Sequence, residues 1–199
     1  MSKKTVTQLI EEYIYIHQAS HISVEGLIQS LRERGYGLLL LLLALPNVLL
    51  LTSIPGTSTF FGIPICLIAF QLIMNRPQPW LPDRIRHRYI ERETLLTILR
   101  KASPYLLKIE HYVRPRWMRM THKRMEQLMG FFILALGIII ALPIPFGNFL
   151  GGVGVAIFSL ALIEKDGVFA LVGMVLTLLI SFVIFKVAGS IIVFLESIF

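Results

Sequence analysis

The sequence predicts an all-α, polytopic helical membrane protein built from two broken-helix hairpin repeats and a C-terminal span. Three observations support this prediction. Hydrophobic residues make up 55% of the 199-residue chain, 16% is charged and the mean hydropathy is +0.73, which excludes the soluble class. Two Pro/Gly-rich stretches interrupt apolar runs in the same way, and a further long apolar run follows near the C-terminus.

The two interruptions span residues 54–64 and 144–154, and each follows an apolar run that ends in Ala-Leu-Pro. Aligned without a gap, they coincide at Ile54 and Ile144, Pro55 and Pro145, Gly62 and Gly152, Leu72 and Leu162, and Ile73 and Ile163. A Pro/Gly-rich break between two short hydrophobic runs, present twice, is typical of the broken-helix repeats of membrane transporters. Apolar composition also produces likeness by chance, so internal duplication is a hypothesis.

The apolar runs beside the breaks are short. They cover residues 38–52, 60–74, 131–142 and 149–163, whereas a straight crossing needs about 20 apolar residues. Either the hairpins are re-entrant and their breaks lie within the membrane, or they span it and the breaks are short loops at its outer surface. The residues predicted to form the breaks are Pro46, Pro55, Gly56, Gly62, Pro64, Pro143, Pro145 and Gly147.

The chain divides into five predicted segments. They are an N-terminal helical leader (1–35), the first membrane repeat (36–74), a basic amphipathic subdomain (75–128), the second repeat (129–166) and a C-terminal transmembrane helix (167–199). Within the last segment, residues 168–185 are long enough for a true span, and the sequence leaves open whether the helix continues beyond Lys186.

The distribution of charge predicts the topology. Thirteen of the 19 Lys and Arg residues fall between Arg76 and Arg124. Basic segments that flank membrane spans normally lie on the cytoplasmic side. We therefore expect a bacterial inner-membrane location, with the leader and residues 75–128 cytoplasmic and close to anionic lipids of the inner leaflet. This accounts for the net charge of +7 without a nucleic-acid partner.

Local patterns predict further detail in the leader and the basic subdomain. Residues 5–16 form one predicted helix, and Ser23 is a good N-cap for a second that Gly35 can end. An apolar stripe over residues 95–113 predicts amphipathic helix on the inner leaflet. Trp80 and Trp117 suit membrane-interface anchors.

Polar residues in and beside the breaks are the candidate substrate-binding residues. They are Asn47, Thr57, Ser58, Gln71, Arg76 and Asn148. The three amides must find partners inside the protein, either as interhelical contacts or along a substrate path. The hydroxyl residues or the second asparagine can cap the helices that follow. Two half-helix N-termini would then favour an anion, which the arginine would steer.

No sequence motif indicates catalysis. The chain lacks a P-loop, a dinucleotide fingerprint, a nucleophile elbow and a zinc-protease motif. The single Cys66 excludes an intrachain disulfide and a cysteine-based metal cluster. We expect no enzyme, no cofactor and no bound metal.

Several motifs resemble the exopolysaccharide-synthesis ExoD family. They are Arg34-Gly35-Tyr36-Gly37, Arg76-Pro77-Gln78-Pro79-Trp80-Leu81-Pro82, Arg114-Pro115-Arg116-Trp117 and Pro143-Ile144-Pro145-Phe146-Gly147-Asn148. The likeness covers about residues 22–185 and leaves out the leader before residue 22. It implies a bacterial inner-membrane protein connected with exopolysaccharide production, and it implies no agreed catalytic residues.

Two functions are compatible with these patterns. The first is binding or translocation of an anionic species, a lipid-linked phosphate intermediate or a small ion, at the paired helix N-termini. The alternative is a non-transporting assembly or regulatory subunit that recruits a polysaccharide synthase through its basic loop, residues 84–124. A homo-oligomer is compatible with both.

Overall fold

The structure, a computed structural model, describes residues 6–16, 20–31, 34–49, 57–97, 100, 123–142 and 147–196. These residues form helices and one short antiparallel ribbon. The helices are α1 (Val6–Ile16), α2 (Val24–Leu31), α3 (Arg34–Val48), α4 (Thr57–Ile73), α5 (Asp83–Arg86), α6 (92–97 in its described part), α7 (Lys123–Ala141), α8 (Gly147–Glu164) and α9 (Gly167–Glu196). The strands are β1 (His21–Ser23) and β2 (Tyr89–Glu91).

Three of the described helices, α7, α8 and α9, are long and apolar enough to cross a membrane. The shorter α3 and α4 are also apolar. The prediction of an all-α membrane protein is therefore confirmed at this level. The open question about the C-terminus is answered by α9, which runs as one helix through Lys186 to Glu196.

Helix α3 packs along α8 in the opposite direction. A Cβ on Gly37, near the start of α3, would lie 2.6 Å from the carbonyl oxygen of Ser159, near the end of α8. A Cβ on Gly152, near the start of α8, would lie 2.8 Å from Cβ of Asn47, near the end of α3. The missing side chains of these two glycines therefore allow the helices to approach closely at both ends.

Helix α4 packs along α7 in the same manner. A Cβ on Gly62 would lie 2.6 Å from the backbone nitrogen of Ala141, and one on Gly130 would lie 3.2 Å from the carbonyl oxygen of Ala69. Between the four helices lies a dry core whose members are fully buried. It includes Leu40, Ile65, Ile133, Leu136 and Phe158.

The helix ends that flank the two breaks lie at one end of this bundle, which we call the break end. There α3 and α7 finish and α4 and α8 begin, and the Thr59 hydroxyl of α4 donates to the carbonyl of Ala141 over 2.9 Å. The opposite end, which we call the loop end, holds the starts of α3 and α7. There the Gln127 amide of α7 donates to the carbonyl of Ile73, the last residue of α4, over 2.9 Å.

The two helix pairs make matching contacts. Gly37 lies against the carbonyl of Ser159 in α8, and Gly130 lies against the carbonyl of Ala69 in α4. Ser159 and Ala69 are 90 positions apart, which is the offset that aligns the two breaks. The two glycines, in contrast, are 93 positions apart, so only the α4 and α8 sides of the contacts repeat at that offset. Duplication of the sequence remains a hypothesis.

The N-terminal leader packs on the loop end. Ser23 caps α2 as predicted, because its Oγ accepts a hydrogen bond from the Gly26 backbone N–H over 3.1 Å. The prediction that Gly35 ends this helix is wrong, since Gly35 lies inside α3. The ribbon pairs His21 with Glu91 and so joins the leader to the segment after α5. Such a short, non-local pairing has no periodic signal in the sequence.

Two helix boundaries also differ from prediction. α7 begins at Lys123 rather than at residue 131, because its first turns are polar yet helix-forming and an apolar run alone does not include them. Pro46, Gly62 and Pro64 lie inside α3 and α4, so none of them ends its helix, and Gly147 is the first residue of α8. The other predicted break residues, Pro55, Gly56, Pro143 and Pro145, lie outside the described residues. Of the predicted stripe over residues 95–113, the structure describes residues 95–97 and 100. The rest of the stripe and Trp117 lie outside the described residues.

Candidate functional site

The predicted binding residues separate into two groups at opposite ends of the bundle. Asn47, Thr57, Ser58 and Asn148 lie at the break end, and Gln71 and Arg76 lie at the loop end. The 17 residues of α4 hold these ends apart by about 25 Å. The structure thus contains two polar regions where the sequence suggested one.

At the break end, Asn47 lies in the last turn of α3 and is completely buried. Its Nδ2 donates to the carbonyl of Leu43, one turn earlier, over 3.0 Å. Its Oδ1 is buried and has no hydrogen-bond partner among the described residues. The side chain therefore presents an acceptor, and not a donor, to the inside of the protein.

Asn148 is the second residue of α8, so it lies inside the helix and not before it. Its Oδ1 is also buried without a partner in the described part of the chain. Thr57 and Ser58 likewise form the first turn of α4, and their side chains are outside what the structure describes. The helix bounds therefore place Thr57, Ser58 and Asn148 inside the first turns of α4 and α8, and not at the N-cap positions that were predicted for them.

The helix N-termini at the break end do not stand alone. The start of α4 adjoins the end of α7, and the start of α8 adjoins the end of α3. The partial positive charge of each N-terminus is thus set beside the partial negative charge of a C-terminus. Thr59, one of the hydroxyl residues of this turn, is already used to satisfy the α7 terminus at Ala141.

At the loop end, the end of α4 holds Arg76 in place. Asn75 adopts a left-handed conformation with φ 55°, and the Arg76 N–H then donates to the carbonyl of Gln71 over 3.2 Å. This is the bonding pattern of a Schellman cap. Lys165 and Asp166 end α8 in the same way, with φ 54° at Lys165 and a 3.1 Å bond from the Asp166 N–H back into the helix.

Gln71 fastens the proline-rich loop that follows. Its Oε1 accepts the Trp80 backbone N–H over 2.6 Å, and its Nε2 donates to the Trp80 carbonyl over 3.3 Å. The side chain is buried. Both of its polar atoms are therefore occupied by the backbone of one residue, and Gln71 acts as a clamp on the loop.

Tyr36 is a second clamp, which the sequence reasoning did not single out. This buried residue in the first turn of α3 has its hydroxyl 3.2 Å from the carbonyl oxygen of Arg76 and 3.1 Å from that of Gln78. The available signal was a lone tyrosine within the Arg-Gly-Tyr-Gly motif before a leucine run. Its partners, about 40 residues away, could not be inferred from that position.

The clamped loop, α2 and α5 together enclose a cleft of about 430 Å³. Its lining residues are Glu25, Ile28, Gln29, Arg76, Pro77, Gln78, Pro79, Trp80, Leu81 and Arg86. Trp80, which lines the cleft, is half exposed. The cleft combines cationic, amide, aromatic and apolar groups on a backbone that is held by two buried side chains.

Arg86 and Glu25 form an ion pair in this cleft, with Nη2 2.5 Å from Oε1. The Gln29 amide donates to the same carboxylate oxygen over 2.9 Å. Hydrogen bonding to Arg86 lowers the pKa of Glu25, and the same bond raises the pKa of Arg86. The Nε of Arg86 is buried and has no hydrogen-bond partner within the described part.

Arg76 adds a second positive charge. It makes no ion pair with any described residue, and its position just beyond the α4 cap is fixed by backbone bonds at both its N–H and its carbonyl. Among the described residues, no group of three or more His, Cys, Asp and Glu side chains is placed to hold a metal ion. The arrangement is suited to binding an anion.

Comparison with known proteins identifies the family. The family described as "Exopolysaccharide synthesis, ExoD" matches residues 6–186 of the chain. The chain belongs to the ExoD family. The match begins at residue 6, so the expectation that the leader before residue 22 lies outside the family is wrong.

Two relatives of this ExoD-family chain are informative. Protein ExoD of Rhizobium meliloti is 36% identical over 170 residues, which cover 83% of this chain and 70% of that protein. An uncharacterized protein of Synechocystis sp. is 28% identical over 177 residues, covering 88% of this chain and 83% of its own length. No solved structure matches the chain.

Proposed function

We propose that this ExoD-family membrane protein acts in exopolysaccharide production by binding the phosphate group of a lipid-linked intermediate in the cleft at the loop end. The observation that supports this most directly is the placement of Arg76 and Arg86 around one cavity beside Trp80. Two guanidinium groups match the charge and the bidentate geometry of a phosphate.

The remaining lining suits the other parts of such a ligand. A volume of about 430 Å³ is in the range of small-molecule sites, and the Gln29 and Gln78 amides can bond sugar hydroxyls. Phe70, in the last turn of α4, and Met74, the residue after this helix, are exposed next to the loop that carries Arg76. They provide apolar surface for the hydrocarbon chain of the lipid.

The same proposal fixes the orientation in a bacterial inner membrane. The loop end is cytoplasmic, because the basic residues of the chain are concentrated in the segment that leaves it. With 15 and 17 residues, α3 and α4 are about 22 and 25 Å long, close to the hydrocarbon thickness of about 30 Å. The two hairpins are then parallel repeats that nearly span the membrane, with both breaks near its outer surface.

We propose a binding role without a catalytic step, which the charges in the cleft support. Its carboxylate, Glu25, is neutralised by Arg86, which makes it a poor general base. The anionic ligand is assigned to the cleft and not to the helix N-termini, because the break end presents buried acceptors. Translocation of the ligand is a further prediction that binding alone does not require.

The test uses the full-length protein in lipid nanodiscs that contain either a polyprenyl phosphate or the corresponding neutral polyprenol. Binding is followed by Trp80 emission in a Trp117→Phe background. Arg76→Gln and Arg86→Gln should each weaken binding about tenfold or more, which corresponds to one charged hydrogen bond. Arg84→Gln is the matched control, since this exposed arginine of α5 does not line the cleft.

Two results would contradict the proposal. One is equal binding of the phosphate and the neutral polyprenol, and the other is wild-type affinity in both cleft variants. Exopolysaccharide output from a strain that carries each variant in place of its own copy connects binding to function. We expect the output to fall in the two cleft variants and to stay unchanged in Arg84→Gln.

A further inference from the structure

Four buried side-chain polar atoms of the described residues have no hydrogen-bond partner, and they divide by chemistry. Arg86 and Arg92, outside the bundle core, leave an Nε donor. Asn47 and Asn148, at the break end, leave an Oδ1 acceptor. Buried acceptors that lose their hydration without gaining a partner are unfavourable, so the two asparagines require a separate explanation.

The two amide oxygens belong to one seam. Gly152 of α8 lies directly against Asn47 of α3, where its Cβ would be 2.8 Å from the asparagine Cβ and 3.2 Å from the Val48 nitrogen. Asn148 precedes Gly152 by four residues and is therefore on the same face of α8, one turn closer to the break. The seam thus carries one unpartnered amide oxygen from each of its two helices.

More oxygen ligands are available at the same place. α3 ends at Val48, and the last turn of a helix leaves backbone carbonyl groups without intrahelical donors. Irregular backbone between membrane helices uses such carbonyl groups to coordinate small cations. The helix dipoles do not decide the sign of the ligand, because a C-terminus and an N-terminus meet here.

We infer that Asn47 and Asn148, together with the terminal carbonyl groups of α3, bind a monovalent alkali cation at the break end. A cation satisfies several acceptors at once, which a hydrogen-bond donor with one proton cannot do. The seam lacks carboxylates among its described residues, and divalent ions in proteins normally require them. Asn47 is fully buried in close contact with Gly152, so the site admits an atom-sized ligand and excludes a sugar or a lipid headgroup.

This site is independent of the anion cleft proposed above, since about 25 Å of α4 separates the two ends. The cation would tie α3 to α8 at the place where both breaks meet. A ligand that binds only the folded state raises the unfolding midpoint. We therefore expect the unfolding midpoint of the protein to depend on the concentration of the cation.

The experiment measures the thermal unfolding midpoint of the full-length protein in detergent. Sodium chloride or potassium chloride is titrated at constant ionic strength with choline chloride as the replacement salt. We expect a saturable rise of the midpoint with at least one of the two alkali ions. Asn47→Leu and Asn148→Leu should lose this dependence. Ser159→Ala is the matched control: it removes a buried polar group from the same helix, but that hydroxyl is already bonded to the Val155 carbonyl.

A wild-type midpoint that is the same in all three salts would overturn the inference and would assign the acceptors to water. Retention of the wild-type dependence in either asparagine variant would overturn it as well. If Asn47→Leu does not fold, the inference is tested with variants of the half-buried Asn148 alone. Asn148→Asp then places a carboxylate at the site and should shift the titration to lower cation concentrations, whereas loss of the ion effect on this substitution would contradict the assignment.

Discussion

The two ends of the bundle are built on the same helix packing but offer opposite polar chemistry. At the loop end, the buried amide of Gln71 has both of its atoms bonded to Trp80, and the unpartnered atom nearby is a donor of Arg86. At the break end, the buried amides of Asn47 and Asn148 each keep an unpartnered acceptor. Matching backbone contacts therefore do not imply matching ligands: the loop end is suited to an anion and the break end to a cation.

The two hairpins also differ at the loop end, in the length of the chain segment that follows each of them. The segment after α4 folds back over the loop end, where Tyr36 and Gln71 bind its backbone. The corresponding segment after α8 is a two-residue turn into α9, whose N-terminus is capped by Asp166 through a 2.8 Å bond from the Val168 N–H. Only the first hairpin thus acquires a loop long enough to form a cleft.

The largest expected effect tests whether the two ends are packed alike. Gly37→Val at the loop end and Gly62→Val at the break end both place a side chain 2.6 Å from backbone atoms of the facing helix. Overpacking of this kind costs about 1–3 kcal/mol or more, so both variants should lose monodisperse folded protein on size-exclusion chromatography. Gly35→Ala, whose nearest contact is 3.3 Å to an Ile28 methyl, should fold normally. Folding of only one valine variant would show that the ends are not equivalent.

The next prediction separates the satisfied amide from the unsatisfied ones. Gln71→Leu leaves two backbone groups of Trp80 without partners and should lower the free energy of unfolding by about 2 kcal/mol or more. Asn47→Leu, measured in choline chloride, removes an amide whose acceptor has no partner and should cost under about 1 kcal/mol. Chemical denaturation of both variants in detergent gives the comparison. Similar losses would contradict the asymmetry between the ends.

A smaller effect concerns the carboxylate that competes for Arg86. Glu25→Gln removes its negative charge and should raise the affinity for polyprenyl phosphate about two- to fivefold, the range of an exposed ion pair. The pKa of Glu25 is lowered by Arg86, so the ion pair is complete above the ordinary carboxyl pKa of about 4.3 and is lost as the pH falls through the lowered pKa. The affinity difference between the two proteins should be full at neutral pH and disappear in that acid range. A difference that persists there would point to another cause.

The smallest expected effects come from single hydrogen bonds at the edges of the two regions. Thr59→Val removes the donor to Ala141 at the break end, and Ser23→Ala removes the cap of α2 beside the cleft. Each should cost about 1 kcal/mol. Unfolding midpoints in one detergent and one salt compare them directly. Only Ser23→Ala should also weaken phosphate binding, since α2 lines the cleft and α4 begins at the far end.

Sequence patterns were sufficient wherever the cause of a structure is local. The cap at Ser23 and the apolar helices both follow from residue types at short spacing. The family was indicated by the resemblance of several motifs and was confirmed by the match over residues 6–186. Boundaries failed where polar turns continue a helix, as at Lys123, and where a glycine serves packing and not termination, as at Gly35. In both cases the neighbours that stabilise the helix are far away in the chain.

The sequence predicted which residues belong to the candidate sites, but it did not predict where these residues lie in the fold or which of them lie together. Polar groups in an apolar chain have to be bonded inside the protein, so their importance is visible in the sequence. Which atoms remain unbonded depends on partners such as Trp80 for Gln71 and Gly152 for Asn47. Those partners are chosen by the pairing of α3 with α8 and of α4 with α7, which residue spacing does not specify.

Composition and periodicity by themselves predicted an all-α membrane protein, because hydrophobic transfer and helix formation act on neighbouring residues. The ExoD family was indicated separately, by the resemblance of several sequence motifs. The tertiary structure alone decided that both breaks meet at one end and that Arg76 joins Arg86 in a cleft at the other. The physical reason is that close contact between antiparallel helices and the hydrogen bonds of Tyr36 to a loop 40 and 42 residues away are long-range interactions. They exist only once the chain has folded.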